Sequence, residues 1–115
     1  MSVKIYHNPR CSKSRLTLEL LRGRGIEPTI IEYLKTPPSE KELELILTQL
    51  AIEPRSLLRK GEAAYKQAGL DDQTLNPSQI IKAMALNPVL IERPIVIAHG
   101  KAAIGRPPEN VLSIL

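Results

Sequence analysis

The sequence predicts an α/β fold, a four-stranded mixed sheet with a helical insertion, in a single domain spanning residues 1–115. Three observations lead there. An alternating segment near the N-terminus is followed by a helix and a second extended run at the spacing of a βαβ crossover. The proline-punctuated middle of the chain is helical in pattern. Near the C-terminus, two short runs flank His99-Gly100 as the arms of an antiparallel hairpin.

Val3-Lys4-Ile5-Tyr6 alternates as a strand does, His7-Asn8-Pro9 breaks it, and Cys11-Ser12 opens a helix. Leu16 with Leu20, and Leu18 with Leu21, recur at helical spacing. Gly23 and Gly25 offer a left-handed cap, and after Pro28 the run Thr29-Ile30-Ile31-Glu32-Tyr33 is extended. A crossover of this length favours parallel strands joined with right-handed chirality. Thr36-Pro37-Pro38 is a stiff break. Ser39 and Glu42 then form a capping box for a helix with Leu43, Ile46, Leu47 and Leu50 on one face. Pro54 begins a short helical piece through Leu58, Arg59-Lys60-Gly61 interrupts it, and Glu62 to Ala68 is weakly helical. Asn76-Pro77 starts a further helix with Ile80, Ile81 and Met84 inward, ended by Asn87-Pro88. Ile95-Val96-Ile97-Ala98 and Lys101-Ala102-Ala103-Ile104 make the hairpin. Pro107-Pro108-Glu109 opens a last helix carrying Val111, Leu112 and Leu115. In order this is βα, β, a helical block, then ββα, the layout of the thioredoxin fold with a helical insertion.

Composition excludes several functions. The 115 residues suffice for one core of ordinary size. The net charge of +4 is spread along the chain without a run of five like charges. Phe and Trp are absent, and three tyrosines make a thin stacking platform, so nucleic acid is not expected as a partner. Apolar stretches are short and no signal-peptide core follows Met1, so no membrane partner and a cytoplasmic location are expected. The one cysteine, Cys11, rules out an intrachain disulfide and a thiolate-only metal site.

Chemistry concentrates around that cysteine. An isolated cysteine in a small domain is commonly an inert packing residue. Cys11 instead lies at a polar strand-to-helix turn among His7, Arg10, Lys13 and Arg15. A helix N-terminus presents unpaired N–H groups and partial positive charge, which with these cations lowers a thiol pKa. The same backbone donors, with the Ser12 and Ser14 hydroxyls, suit an oxyanion. Three further arginines stand at punctuation points: Arg59 after Leu57-Leu58, Arg93 before Pro94, and Arg106 between Gly105 and Pro107. Guanidinium groups match the edges of a tetrahedral oxyanion and stay charged when partly desolvated.

Four blocks carry a resemblance: His7 to Arg15, Glu27 to Pro38, Leu57-Leu58-Arg59-Lys60, and Glu92-Arg93-Pro94-Ile95-Val96. Together they are similar to the glutaredoxin-coupled arsenate reductase (ArsC-type) family over nearly the whole chain. The large or basic Arg10, Ser12 and Lys13 around the cysteine, and the end of the chain at Leu115, resemble its short arsenate reductase-like branch. The resemblance implies a thioredoxin-like fold with a helical insert and a cis Arg93-Pro94 bond. It implies that Cys11 is the nucleophile, that His7 helps keep it ionised, and that Arg59, Arg93 and Arg106 bind the oxyanion. The activity it implies is reduction of arsenate to arsenite, with glutathione as co-substrate, glutaredoxin as partner, and no tightly bound cofactor or metal. Two alternatives stay open: a glutathione-dependent thiol oxidoreductase, and a non-enzymatic regulator related to the Spx-type proteins. The Cys-x-x-Cys pair usual in the latter is broken here by Ser14.

Overall fold

The computed structural model describes residues 2–115. Within it the chain forms two compact units: the part up to Thr36 together with Arg93–Leu115, and Pro37–Glu92.

The first unit holds the sheet. Its strands are β1 (Val3–His7), β2 (Thr29–Glu32), β3 (Ile95–Ala98) and β4 (Lys101–Ile104), in the order β2-β1-β3-β4. β1 and β2 are parallel, joined through helix α1 (Ser12–Gly23), and the other two pairings are antiparallel. Side chains alternate across a strand, so Val3 and Ile5 share a face with their register partners Ala98 and Val96. Leu18 and Leu21 of α1 and Val111 and Ile114 from the C-terminal segment close over that face to make the core. Each such aliphatic side chain contributes about 1.5–3 kcal/mol on burial. Gly25, at φ 77°, turns the chain out of α1 with its N–H on the Arg22 carbonyl. His99 and Gly100 both have positive φ, which lets a two-residue loop follow the twist of β3 and β4.

Some boundaries differ from expectation. His7 remains in β1 because the parallel ladder continues to Glu32, its partner on β2. β2 stops there because the Glu32 carbonyl accepts from Lys35 and Thr36, folding the chain back and leaving Tyr33 buried outside the strand. Leu16 lies on the outer side of α1, 48% exposed, while Leu18 and Leu21 point inward. The last helix is a 3₁₀ helix, Pro108–Ile114. Its period of three places Val111 and Ile114 on the buried face, whereas Leu112 is half-buried.

The second unit is the expected helical insertion. Helix α2 (Glu40–Leu50) starts at a reciprocal capping box: Ser39 Oγ accepts from the Glu42 N–H at 3.1 Å, and the Ser39 N–H donates to Glu42 Oε1 at 3.2 Å. Leu43, Ile46 and Leu47 are buried. A 3₁₀ turn (Pro54–Leu57) and the short α3 (Ala63–Gln67) lead to α4 (Pro77–Leu86), which begins at a second box between Asn76 and Gln79 and buries Ile80, Ile81 and Met84. α4 packs against α2. Leu58 bridges to Ile91, and the Glu92 N–H donates to the Leu57 carbonyl at 2.9 Å. No helix among the described residues is long and apolar enough to cross a membrane.

Candidate active site

Cys11 is the N-cap residue of α1, the position where helix N–H groups lack helical partners. Its conformation is extended, at φ −94° and ψ 122°, and no acidic residue occupies the first turn. The preceding turn is tied down by its own polar groups. The Cys11 N–H donates to the Asn8 carbonyl at 3.0 Å, the Arg10 N–H to Asn8 Oδ1 at 3.0 Å, and Arg15 Nη1 to the Pro9 carbonyl at 2.9 Å.

Burial alone, with the residue 8% exposed, raises the Cys11 pKa by disfavouring the thiolate. Opposing it, the Ser14 backbone N–H, the Arg93 guanidinium through a hydrogen bond and its charge, and the Lys13 backbone N–H all favour the anion. The balance holds the thiol below its ordinary range. Arg106 completes the cradle: Nη2 donates toward Sγ at 3.6 Å, and Nε donates to the Arg93 carbonyl at 2.8 Å. Burial also disfavours the Arg93 charge, but its hydrogen bond to Cys11 and the charges of Tyr33 and Cys11 raise its pKa above the usual arginine range. The bonds Arg93-Pro94, as the resemblance implies, and Arg106-Pro107 are cis.

His7 reaches this cradle through Ser14. The His7 Nδ1 to Ser14 Oγ distance is 2.6 Å, and the Asn8 N–H donates to the same oxygen at 3.0 Å. A hydroxyl that accepts from Asn8 and donates to Nδ1 satisfies all three groups when the imidazole is neutral, with its proton on Nε2. Burial likewise lowers the His7 pKa; Glu32 pulls it up, and Arg22 and Arg15 push it down. The Ser14 hydroxyl is thus engaged with His7 and Asn8, and its contribution to the thiol is the backbone N–H. Ser12, at the first position of α1, is exposed.

Of the three punctuating arginines, Arg93 and Arg106 meet at Cys11. Arg59 belongs to the second unit, where Nη1 lies 2.6 Å from Glu92 Oε1, Nε lies 3.3 Å from Glu62 Oε2, and the backbone N–H donates to the Leu90 carbonyl. Asn8, whose carbonyl and side chain hold the turn before Cys11, and Tyr33, beside Arg93, also shape the site. Asn8 alone carried a local signal, as a turn-forming residue before proline. Among the described residues no three His, Cys, Asp or Glu side chains gather as a metal site.

Residues 6–114 match the ArsC family. An arsenate reductase of Haemophilus influenzae is 50% identical, with both chains covered in full. The Escherichia coli K12 protein YfgD, described as uncharacterized, is 53% identical over 98% of this chain and 96% of its own. Among solved structures, the arsenate reductase from Vibrio cholerae is 52% identical and superposes with a TM-score of 0.98, covering 100% of this chain and 98% of that one. The fold is therefore the thioredoxin-like α/β fold expected from the order of elements.

Proposed function

Since this chain belongs to the ArsC family, we propose that it reduces arsenate to arsenite, with glutathione and glutaredoxin supplying the electrons. The observation that carries the proposal is one sulfur, Cys11, faced by two backbone N–H groups and two guanidinium groups. Such a cradle favours both a thiolate and a tetrahedral oxyanion.

In this reading the Cys11 thiolate attacks arsenic, an S–As bond forms, and an oxygen leaves as water once protonated. Arg93 and Arg106 hold the remaining oxygens and stabilise charge developing on them. The hydroxyl of the exposed Ser12 offers a further donor. Ser14 serves as a positioning residue linking His7 to the thiol, and Arg59 is included as an oxyanion ligand on the family resemblance alone. Arsenic gains two electrons when two thiol sulfurs leave as one disulfide. The chain contains a single cysteine, so an outside sulfur must take part. Glutathione fills that role, and glutaredoxin resolves the mixed disulfide. A cytoplasmic setting, where thiols are kept reduced, suits this chemistry.

The test is arsenate-dependent NADPH oxidation in an assay coupled through glutathione, glutaredoxin and glutathione reductase. Turnover that needs Cys11 and arsenate supports the reading. Turnover of glutathione mixed disulfides with none of arsenate replaces it by a thiol oxidoreductase.

A further inference from the structure

Beneath the cradle, α1 and the corner after β4 approach more closely than side chains ordinarily allow. A Cβ on Gly105 would lie 2.5 Å from Thr17 Oγ1, 3.2 Å from Thr17 Cγ2 and 2.8 Å from Pro94 Cγ. Real Cβ atoms do not tolerate such distances, so only glycine fits here, for closeness and not for φ. Thr17 is fully buried, and its hydroxyl donates to the Lys13 carbonyl at 2.8 Å. The Gly105 N–H donates to the Pro94 carbonyl at 2.9 Å.

Each partner of this contact leads directly to the sulfur. Lys13 and Ser14, in the turn that Thr17 braces, present their N–H groups to Cys11. Arg106 follows Gly105 and reaches Sγ, while Arg93 precedes Pro94 and supplies both a guanidinium to Cys11 and a carbonyl to Arg106. Thr17, Gly105 and Pro94 therefore meet where the helix donors and the arginine donors must be brought into register. We propose that the Thr17–Gly105 contact is a positioning device that sets the distance between these two sets of donors and so tunes the reactivity of Cys11.

This rests on Cys11 being the reactive thiol, and it does not require arsenate to be the substrate. The experiment follows the alkylation rate of Cys11 against pH in the full-length protein, alongside kcat and KM. Gly105→Ala forces the two elements apart. It should move the midpoint toward the free-thiol value by about one pH unit and lower kcat/KM by about tenfold or more. Thr17→Ala removes the brace on Lys13 and should raise the midpoint by less, while Thr17→Ser, which keeps the hydroxyl, should match the wild type. In the double variant, Ala at 17 clears the Thr17 side of the new methyl group and leaves Pro94 Cγ 2.8 Å away, so the midpoint should fall part of the way from that of Gly105→Ala toward that of Thr17→Ala. Val111→Ala, a truncation in the core between α1 and the sheet, should lower stability and leave the midpoint in place.

A folded Gly105→Ala protein with a wild-type midpoint would overturn the proposal. So would a wild-type midpoint in Thr17→Ala, which decides the matter if Gly105→Ala does not fold, or an equal shift in Val111→Ala. Shifted midpoints in a protein that reduces no arsenate leave the contact standing and remove the functional reading. Unmoved midpoints with intact arsenate turnover do the reverse.

Discussion

Arg106 reaches the Cys11 sulfur across 95 positions of sequence, with Nη2 at 3.6 Å from Sγ. Its Nε is anchored on the Arg93 carbonyl at 2.8 Å. One guanidinium therefore both faces the thiol and fixes the residue that carries the other.

This fork does not survive replacement by a single ammonium. Arg106→Lys keeps the charge but cannot donate to the Arg93 carbonyl and toward the sulfur from one rigid plane. The expected result is a loss of about tenfold or more in kcat/KM for arsenate, with a similar loss in Arg93→Lys. Steady-state kinetics in the coupled assay check this, and wild-type values in either variant would remove that arginine from the site.

Cys11→Ser should abolish turnover and leave the fold unchanged. The side chain differs by one atom and, as the N-cap residue, serine is at least as well suited to the position. Circular dichroism and thermal melting would report the fold, and retained arsenate-dependent NADPH oxidation would rule out Cys11 as the nucleophile.

His7 predicts an acid limb of stability. Burial lowers its folded pKa, so below the unfolded value of about 6.5 the unfolded chain binds the extra proton more readily. Its stabilising contribution is present above that pH and is lost as pH falls through the folded pKa. Protonation at Nδ1 would also force the Ser14 hydroxyl to give up its donation to the ring. Urea unfolding across this range should show a shallower decline in His7→Asn than in the wild type, and equal slopes would contradict the assignment.

In the second unit, Ser39→Ala removes the acceptor for the Glu42 N–H and half of the reciprocal box. A loss of about 1 kcal/mol is expected, read from denaturant unfolding with the slope unchanged. No change would mean that another group caps α2.

How much of this was legible in the sequence follows from how local each signal is. The Ser39–Glu42 box and the His99-Gly100 turn are set by residues three or fewer positions apart, and both formed where expected. Cys11 could be placed at a helix start because Asn8, Pro9 and Ser12 surround it. The convergence of Arg93 and Arg106 on Cys11 depends on strand order, which no local spacing encodes. The pairing of Arg59 with Glu92 spans 33 positions and is equally invisible to local spacing. The last helix forms where expected, but as a 3₁₀ helix that buries Val111 and Ile114 rather than Leu112 and Leu115, because so short an apolar run fits a period of 3.6 nearly as well as one of three. Thr17 and Gly105 gave no signal, since a glycine needed for close approach looks like any other glycine until the facing helix is present.

We read Cys11 as a thiolate in an oxyanion cradle. The most direct measurement is the rate of Cys11 alkylation against pH, with and without arsenate. The midpoint should lie below the free-thiol value of about 8.5, and added arsenate should protect the sulfur. A midpoint near that value, with a rate indifferent to arsenate, would contradict this reading.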